Sequence, residues 1–260
     1  MLVRRWCELR APVNAPALRR QRGLVSANRF AAYVILIAAM AHPARANAQV
    51  GVVVSAYTDQ RFRGYSLSDG RPVGIIDVSY DGPGGVYAAG SGSVVAAREG
   101  NLKGLGLTLN AGYAKRLDSR LTLDFGAIHS TYSRYSGLVG GRSYTELYGG
   151  IAGKVVGARI SVSPNYIGPA HWTAHGEING HLDLTSRLLL DGSLGVLAPL
   201  GSRGYQNGAH PQWDARLGLS QRLGRIMLHA AVTTRGRSSQ IYLYRRRSRV
   251  EFVLGISSAL

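Results

Sequence analysis

The 260-residue sequence has a single cysteine, Cys7, and that shortage removes whole classes of architecture. Beyond residue 7 there can be no disulfide framework, no cysteine-based metal site and no thiol nucleophile. Charged residues make up 17% of the chain, below the usual quarter, and the acids are scarcest of all: 14 Asp and Glu against 31 Lys and Arg. Helical bundles, which draw on Glu, Lys, Ala and Leu, are poorly served by such a composition. Long hydrophobic runs are missing as well. The longest, Phe30 to Ala41, has twelve residues, whereas a membrane-spanning helix needs about 20.

Glycine is abundant, at 34 residues, and tyrosine reaches 14. That pairing suits many short strands joined by tight turns. The first 48 residues stand apart. Arg19, Arg20, Arg22 and Arg29 precede the apolar run, and Ala46-Asn47-Ala48 follows it as a small-x-small site. This order predicts a signal peptide over 1–48, cleavage after Ala48, and a mature chain of 49–260 outside the cytoplasm. Cys7 would leave with the signal peptide. The first 48 residues carry +7 (eight Arg, one Glu), so the total of +17 falls to +10.

After residue 50 the dominant signal is alternation with period two. Leu105, Leu107, Leu109, Ala111 and Tyr113 alternate with Gly106, Thr108, Asn110 and Gly112. Trp172, Ala174, Ile178, Leu182 and Leu184 alternate with polar residues, and so do Trp213, Ala215, Leu217 and Leu219. Twelve such segments begin near residues 50, 73, 85, 104, 120, 143, 157, 171, 187, 212, 225 and 249. Short and long connections alternate between them. An even number of strands, ten or so residues each, with one apolar face and one face of Gly, Ser, Asn and mixed charges, predicts an all-β protein. The expected fold is a transmembrane up-and-down antiparallel β-barrel of about 12 strands spanning 49–260, apolar side outward. Its place would be the outer membrane of a Gram-negative bacterium, with membrane lipids, lipopolysaccharide and the barrel-assembly machinery as partners. In this phase Trp172, Trp213, Tyr166 and Phe62 are expected in an outer aromatic girdle, and Tyr80 and Tyr113 in a periplasmic one.

The stretch "YTDQRFRGYSLSDGRPVGIIDVSY" resembles the first hairpin of the TorF-like family of outer-membrane porins. Their D-x-x-F-R-G-x-S-x-S-x-x-x-P pattern is matched by Asp59, Phe62, Arg63, Gly64, Ser66, Ser68 and Pro72. Residues 143–168, "SYTELYGGIAGKVVGARISVSPNYIG", are similar to the tyrosine-rich central hairpin of that family. The resemblance implies a porin-like barrel; the family's solutes are generally unassigned.

Continuing the first strand's alternation places Asp59, Arg61 and Arg63 on the lumen side as one polar ladder. The same phase puts Asp124, Glu146, Arg159, Glu177, Asp214, Arg216 and Arg222 into the lumen, where they are expected to line a pore. The long loops carry Arg71, Arg98, Arg203, Arg237, Arg245, Arg246 and Arg247, a basic rim suited to drawing in anions or to binding lipopolysaccharide phosphates. The connection from Ala198 to Pro211 is long enough to fold in and constrict a narrow lumen. Nucleic-acid binding is disfavoured, because arginines and aromatics would have to share one surface. No catalytic site, metal or cofactor is expected. His129 and Ser130 are neighbours on opposite faces, and His175 and His181, six residues apart, stand roughly 20 Å from each other along a strand. The expectation is therefore a porin-like channel for small hydrophilic solutes, anions among them. The alternative is a non-conducting structural or adhesive barrel that binds lipopolysaccharide.

Overall fold

The computed structural model describes residues 49–97, 100–137, 141–167, 172–201, 210–236 and 250–260. Twelve antiparallel strands close into a barrel: β1 (Gln49–Tyr57), β4 (Val73–Asp81), β5 (Val86–Ala96), β6 (Leu102–Arg116), β7 (Thr122–Tyr132), β8 (Arg142–Ala152), β9 (Val156–Ser163), β10 (Thr173–Asp183), β11 (Leu188–Pro199), β12 (Gln212–Leu223), β13 (Ile226–Arg235) and β14 (Val250–Ala259). Two very short strands, β2 (Arg61–Phe62) and β3 (Tyr65–Ser66), form a separate hairpin. Each barrel strand pairs with its sequence neighbour, and β1 closes the ring on β14, with Val53 opposite Ala259 and Tyr57 opposite Gly255. Closure leaves no sheet edge facing lipid, which a membrane-spanning sheet cannot tolerate.

The two faces separate cleanly. Val54, Ile76, Leu109, Leu147, Ile160, Ile178, Leu194, Leu217, Phe252 and Leu254 all point outward and are exposed, forming the apolar belt of an integral outer-membrane barrel. Trp172 and Trp213 ring it at the loop end, Tyr80 and Tyr113 at the turn end, all four exposed as the alternation predicts. Inside, tyrosines lie flat against glycines of the next strand. A Cβ on Gly255 would collide with the ring of Tyr57, and one on Gly126 with that of Tyr148. This close approach accounts for part of the high Gly and Tyr content.

Three outward assignments are overturned, those of Leu105, Tyr166 and Phe62. Leu105 is fully buried, at 0% exposure. Between Ser93 and Val94 the β5–β6 register shifts, so that Ser93 faces Gly106 and Val94 faces Gly104, and Leu105 is the extra residue of a bulge. The bulge reverses the phase there and turns Leu105 into the lumen. Tyr166 is also buried, because β9 ends at Ser163 and the chain turns inward beyond it. Tyr166 and Ile167 then join Tyr65, Leu67, Val73, Val95, Leu105, Tyr132, Tyr144 and Leu197 in one hydrophobic cluster. That cluster lies in the loop-end half of the lumen. The inward side chains of the turn-end half are polar and partly exposed.

Candidate functional site

The segment after β1 leaves the wall. Instead of a continued strand, residues 58–72 dive into the lumen and fold back through the β2–β3 hairpin. The expected ladder of Asp59, Arg61 and Arg63 on the barrel wall is therefore not formed, and Phe62 belongs to no girdle. The reason is local. Arg63 and Gly64, the two residues between the short strands, have φ of 48° and 75°. Two successive left-handed residues make the type I′ turn of a two-residue hairpin. A second such pair, Asp69 and Gly70 at 60° and 69°, turns the chain back toward β4. Gly64 is needed twice over. Besides its φ, a Cβ there would sit 2.7 Å from Cβ of Arg235 and 3.2 Å from Cβ of Asp214. The hairpin tip is thus pressed against β12 and β13.

Asp59 holds the fold-back together. Its Oδ1 accepts hydrogen bonds from Ser66 Oγ (2.5 Å), Ser68 Oγ (2.6 Å) and the Gly70 amide (3.3 Å), and its Oδ2 accepts from Arg61 Nη1 at 3.0 Å. Arg61 Nη2 also donates to the Gly64 carbonyl at 2.5 Å. Asp59, Ser66 and Ser68 of the D-x-x-F-R-G-x-S-x-S pattern thereby each have a structural task.

Further contacts moor the hairpin. Arg63 Nη2 donates to both carboxylate oxygens of Glu146 on β8, at 2.8 and 3.0 Å, while its guanidinium lies 4.7 Å from the ring centre of Phe62 and 4.9 Å from that of Tyr166. Tyr65 donates to Gln212 Oε1 on β12 at 2.5 Å, and Arg235 of β13 stacks over its ring at 4.4 Å. On the loop side the Gly137 amide donates to the Leu67 carbonyl, and Arg71 Nη2 to the Tyr135 carbonyl.

These charges are packed away. The side chains of Asp59, Arg61, Arg63 and Glu146 keep 7%, 6%, 7% and 3% of their exposure. His175 of β10 is buried beside Asp214, with Nε2 at 3.7 Å from Oδ2.

The turn-end half is arranged differently. Arg159 on β9 reaches Asp124 on β7 at 2.7 Å and stacks over Tyr148 at 4.2 Å. Tyr87 donates to Asp124 Oδ1, and Tyr148 to Asn110 Oδ1. Arg216 on β12 pairs with Asp191 on β11. His229 bridges Ser220 Oγ and Ser257 Oγ at 2.9 and 2.8 Å. Yet the side chains of Arg159 and Arg216 remain 38% and 40% exposed in the turn-end half of the lumen. Glu177, half-buried on β10, and Arg222, exposed near the turn end of β12, also face this space.

Of the expected pore-lining residues, Asp59, Arg61, Arg63 and Glu146 are thus gathered into the inserted plug. Asp124 and Arg159 meet as a pair; Arg216 meets Asp191, which lies beside it in the lumen. Of the rim arginines, Arg71 is held by Tyr135 at the loop end. Arg98, Arg203, Arg237, Arg245, Arg246 and Arg247 lie outside the described residues, as do 1–48 and residues 202–209 of the connection expected to constrict the lumen.

The profile of a bacterial family of unknown function, Gcw_chp, matches residues 39–254. The chain belongs to that family. Among solved structures, this Gcw_chp protein is similar to the NanC porin, at 13% identity and a TM-score of 0.53, over 80% of this chain and 100% of that one. It is also similar to the KdgM porin, at 11% identity and a TM-score of 0.49, over 80% and 98%. At such identities the likeness is one of fold. No curated protein matches the sequence.

Proposed function

We propose that this Gcw_chp protein is an outer-membrane channel through which small hydrophilic solutes diffuse passively, with the β2–β3 hairpin as its constriction. One observation carries the reading: in the turn-end half of the lumen the inward side chains of Arg159 and Arg216 are 38% and 40% exposed, beside Asp124 and Asp191 at 17% and 24%. A lumen meant only to be filled has no use for open arginines. Porin-like topology and the motif shared with TorF-like porins support it. The finer proposal is a preference for anions. With residues 1–48 removed the chain would carry +10, and the share of it on the long loops would concentrate anions at the mouth; the two arginines then offer planar, bidentate donors to carboxylate or phosphate. Insertion through the barrel-assembly machinery belongs to the same proposal.

The test is a planar bilayer holding the purified protein under a potassium chloride gradient. Steady conductance with reversal toward the chloride potential is the expected result. Conductance reversing toward potassium would remove the anion preference and leave the channel standing.

One observation favours a second reading, a barrel that does not conduct. The near-complete burial of Asp59, Arg61, Arg63 and Glu146 resembles a packed core more than an eyelet. In that case the loop end serves adhesion to lipopolysaccharide. Arg71 bonds to the Tyr135 carbonyl, and Lys103 and Arg134 lie 5.9 and 5.1 Å from its ring centre, gathering three cations at one rim position. A sealed bilayer record together with detergent sensitivity of a deletion strain would select this reading.

A further inference from the structure

Four of the five short turns at the turn end of the barrel are basic. The end of β6 and its turn into β7 hold Lys115, Arg116 and Arg120; the β8–β9 turn holds Lys154, the β10–β11 turn Arg187, and the end of β12 with its turn Arg222 and Arg225. All seven are exposed. Among the described residues none of them forms an ion pair. The acids of these four connections are Asp118 and Asp183, and Asp118 Oδ1 accepts the amides of Arg120 and Leu121 at 2.6 and 2.8 Å, which holds it to its own turn. The β4–β5 turn differs: it has Asp81 and no cation.

Each basic turn also presents exposed apolar side chains. Leu117 follows Lys115 and Arg116, Val155 follows Lys154, Leu184 precedes Arg187, and Leu223 and Ile226 flank Arg225. Lys115 faces Leu123 across the β6–β7 ladder, in the lipid-facing phase, two residues beyond the girdle residue Tyr113. At ~3.4 Å per residue and a tilt near ~40° its Cα stands about 5 Å below the girdle, at the depth of lipid headgroups. A long basic side chain there keeps its stem on apolar surface and its charge at the interface.

The placement separates the anions that such charges could meet. Arg116 and Arg222 are in the lumen-facing phase, opposite Thr122 and Met227, and belong to the mouth of the barrel. The other five are spread round the ring from β6 to β13. A folded protein docks on one contiguous patch, whereas a membrane surface meets the circumference. Cations alternating with apolar side chains match a layer that offers phosphate and hydrocarbon side by side. Short turns of such barrels face the periplasm, so this layer is the phospholipid leaflet.

We propose that Lys115, Arg120, Lys154, Arg187 and Arg225 bind anionic phospholipid headgroups of the periplasmic leaflet, gathering phosphatidylglycerol-type lipid round the barrel from β6 to β13. Each contact is a charge-assisted hydrogen bond to phosphate, added to the attraction of a cation for an anionic membrane surface. The inference goes beyond the channel reading and holds for an open or a sealed barrel.

The test is electron spin resonance of spin-labelled phosphatidylglycerol and spin-labelled phosphatidylcholine, each with the purified protein in phosphatidylcholine vesicles. The immobilised fraction is expected to be several-fold larger for phosphatidylglycerol. That preference should collapse between about 0.1 M and about 1 M salt, as the Debye length shrinks from about 10 Å to about 3 Å. Equal fractions at low salt would overturn the proposal. A variant with Lys115→Gln, Arg120→Gln, Lys154→Gln, Arg187→Gln and Arg225→Gln, its folding checked by heat-modifiable gel shift, should lose most of the preference. Lys154→Gln with Arg225→Gln should lose part of it, and Lys103→Gln with Arg134→Gln at the loop end should keep the larger share. The reverse order would overturn the assignment to the turns. So would binding to purified peptidoglycan that the five-residue variant loses while its lipid preference stays intact.

Discussion

Arg63 and Arg159 make the same kind of contact at the two ends of one lumen. Each gives hydrogen bonds to a single carboxylate, Glu146 or Asp124, and each lies over aromatic rings, Phe62 and Tyr166 in one case and Tyr148 in the other. What differs is water. Arg63 retains 7% of its exposure and Arg159 retains 38%. A buried pair has given up hydration on both sides and holds its surroundings in place, because neither partner can leave alone. A half-exposed pair has given up little, so its remaining N–H groups stay available to a visitor. The same chemical unit is thus a mooring at the loop end and a binding surface at the turn end.

Removing one partner tests that difference most severely. Glu146→Ala strands the Arg63 guanidinium in the packed half and is expected to destabilise the barrel by about 3–5 kcal/mol. In urea unfolding from vesicles the midpoint should fall, and single-channel conductance should rise as the hairpin leaves its seat. An unchanged midpoint would show that the loop-end half is wetter than its burial implies. Gly64→Val comes next. It forces a β-branched residue into left-handed backbone and onto Arg235, at a cost of roughly 1–3 kcal/mol. The readout is again conductance, now with every charge in place, which isolates the hairpin's shape from its electrostatics. Arg159→Ala should do least to stability, within about 0.5–1 kcal/mol, as for other exposed ion pairs. Its effect is expected on the chloride-to-potassium permeability ratio, which should fall. If Arg159→Ala unfolds the barrel while Glu146→Ala does not, the assignment of the two halves is reversed.

Much of the barrel was legible because period two is a strong signal over ten residues. All twelve strand starts read from alternation lie within two residues of those observed. Two of the failures, the first hairpin and Leu105, came from places where backbone geometry departs while the alternation of residue types continues; the third, Tyr166, lies beyond the end of β9 at Ser163. Tyr57, Asp59, Arg61 and Arg63 are polar at every second position, with Phe62 between, so a strand and an inserted hairpin look alike. The distinguishing signals were Arg63-Gly64 and Asp69-Gly70, pairs that favour left-handed turns. Leu105 kept the apolar phase of Leu107 and Leu109, and a bulge leaves no mark in such a pattern.

The seat of the hairpin has a consequence for the order of assembly. Residues 59–70 come from the first loop, yet they rest on Gln212, Asp214 and Arg235, contributed by the penultimate and antepenultimate strands of the barrel. The earliest-made part of the lumen therefore has no home until almost the whole chain has been threaded into the membrane. Docking of the hairpin becomes the last event of maturation, and a barrel with a misregistered C-terminal half would be left with its first loop outside.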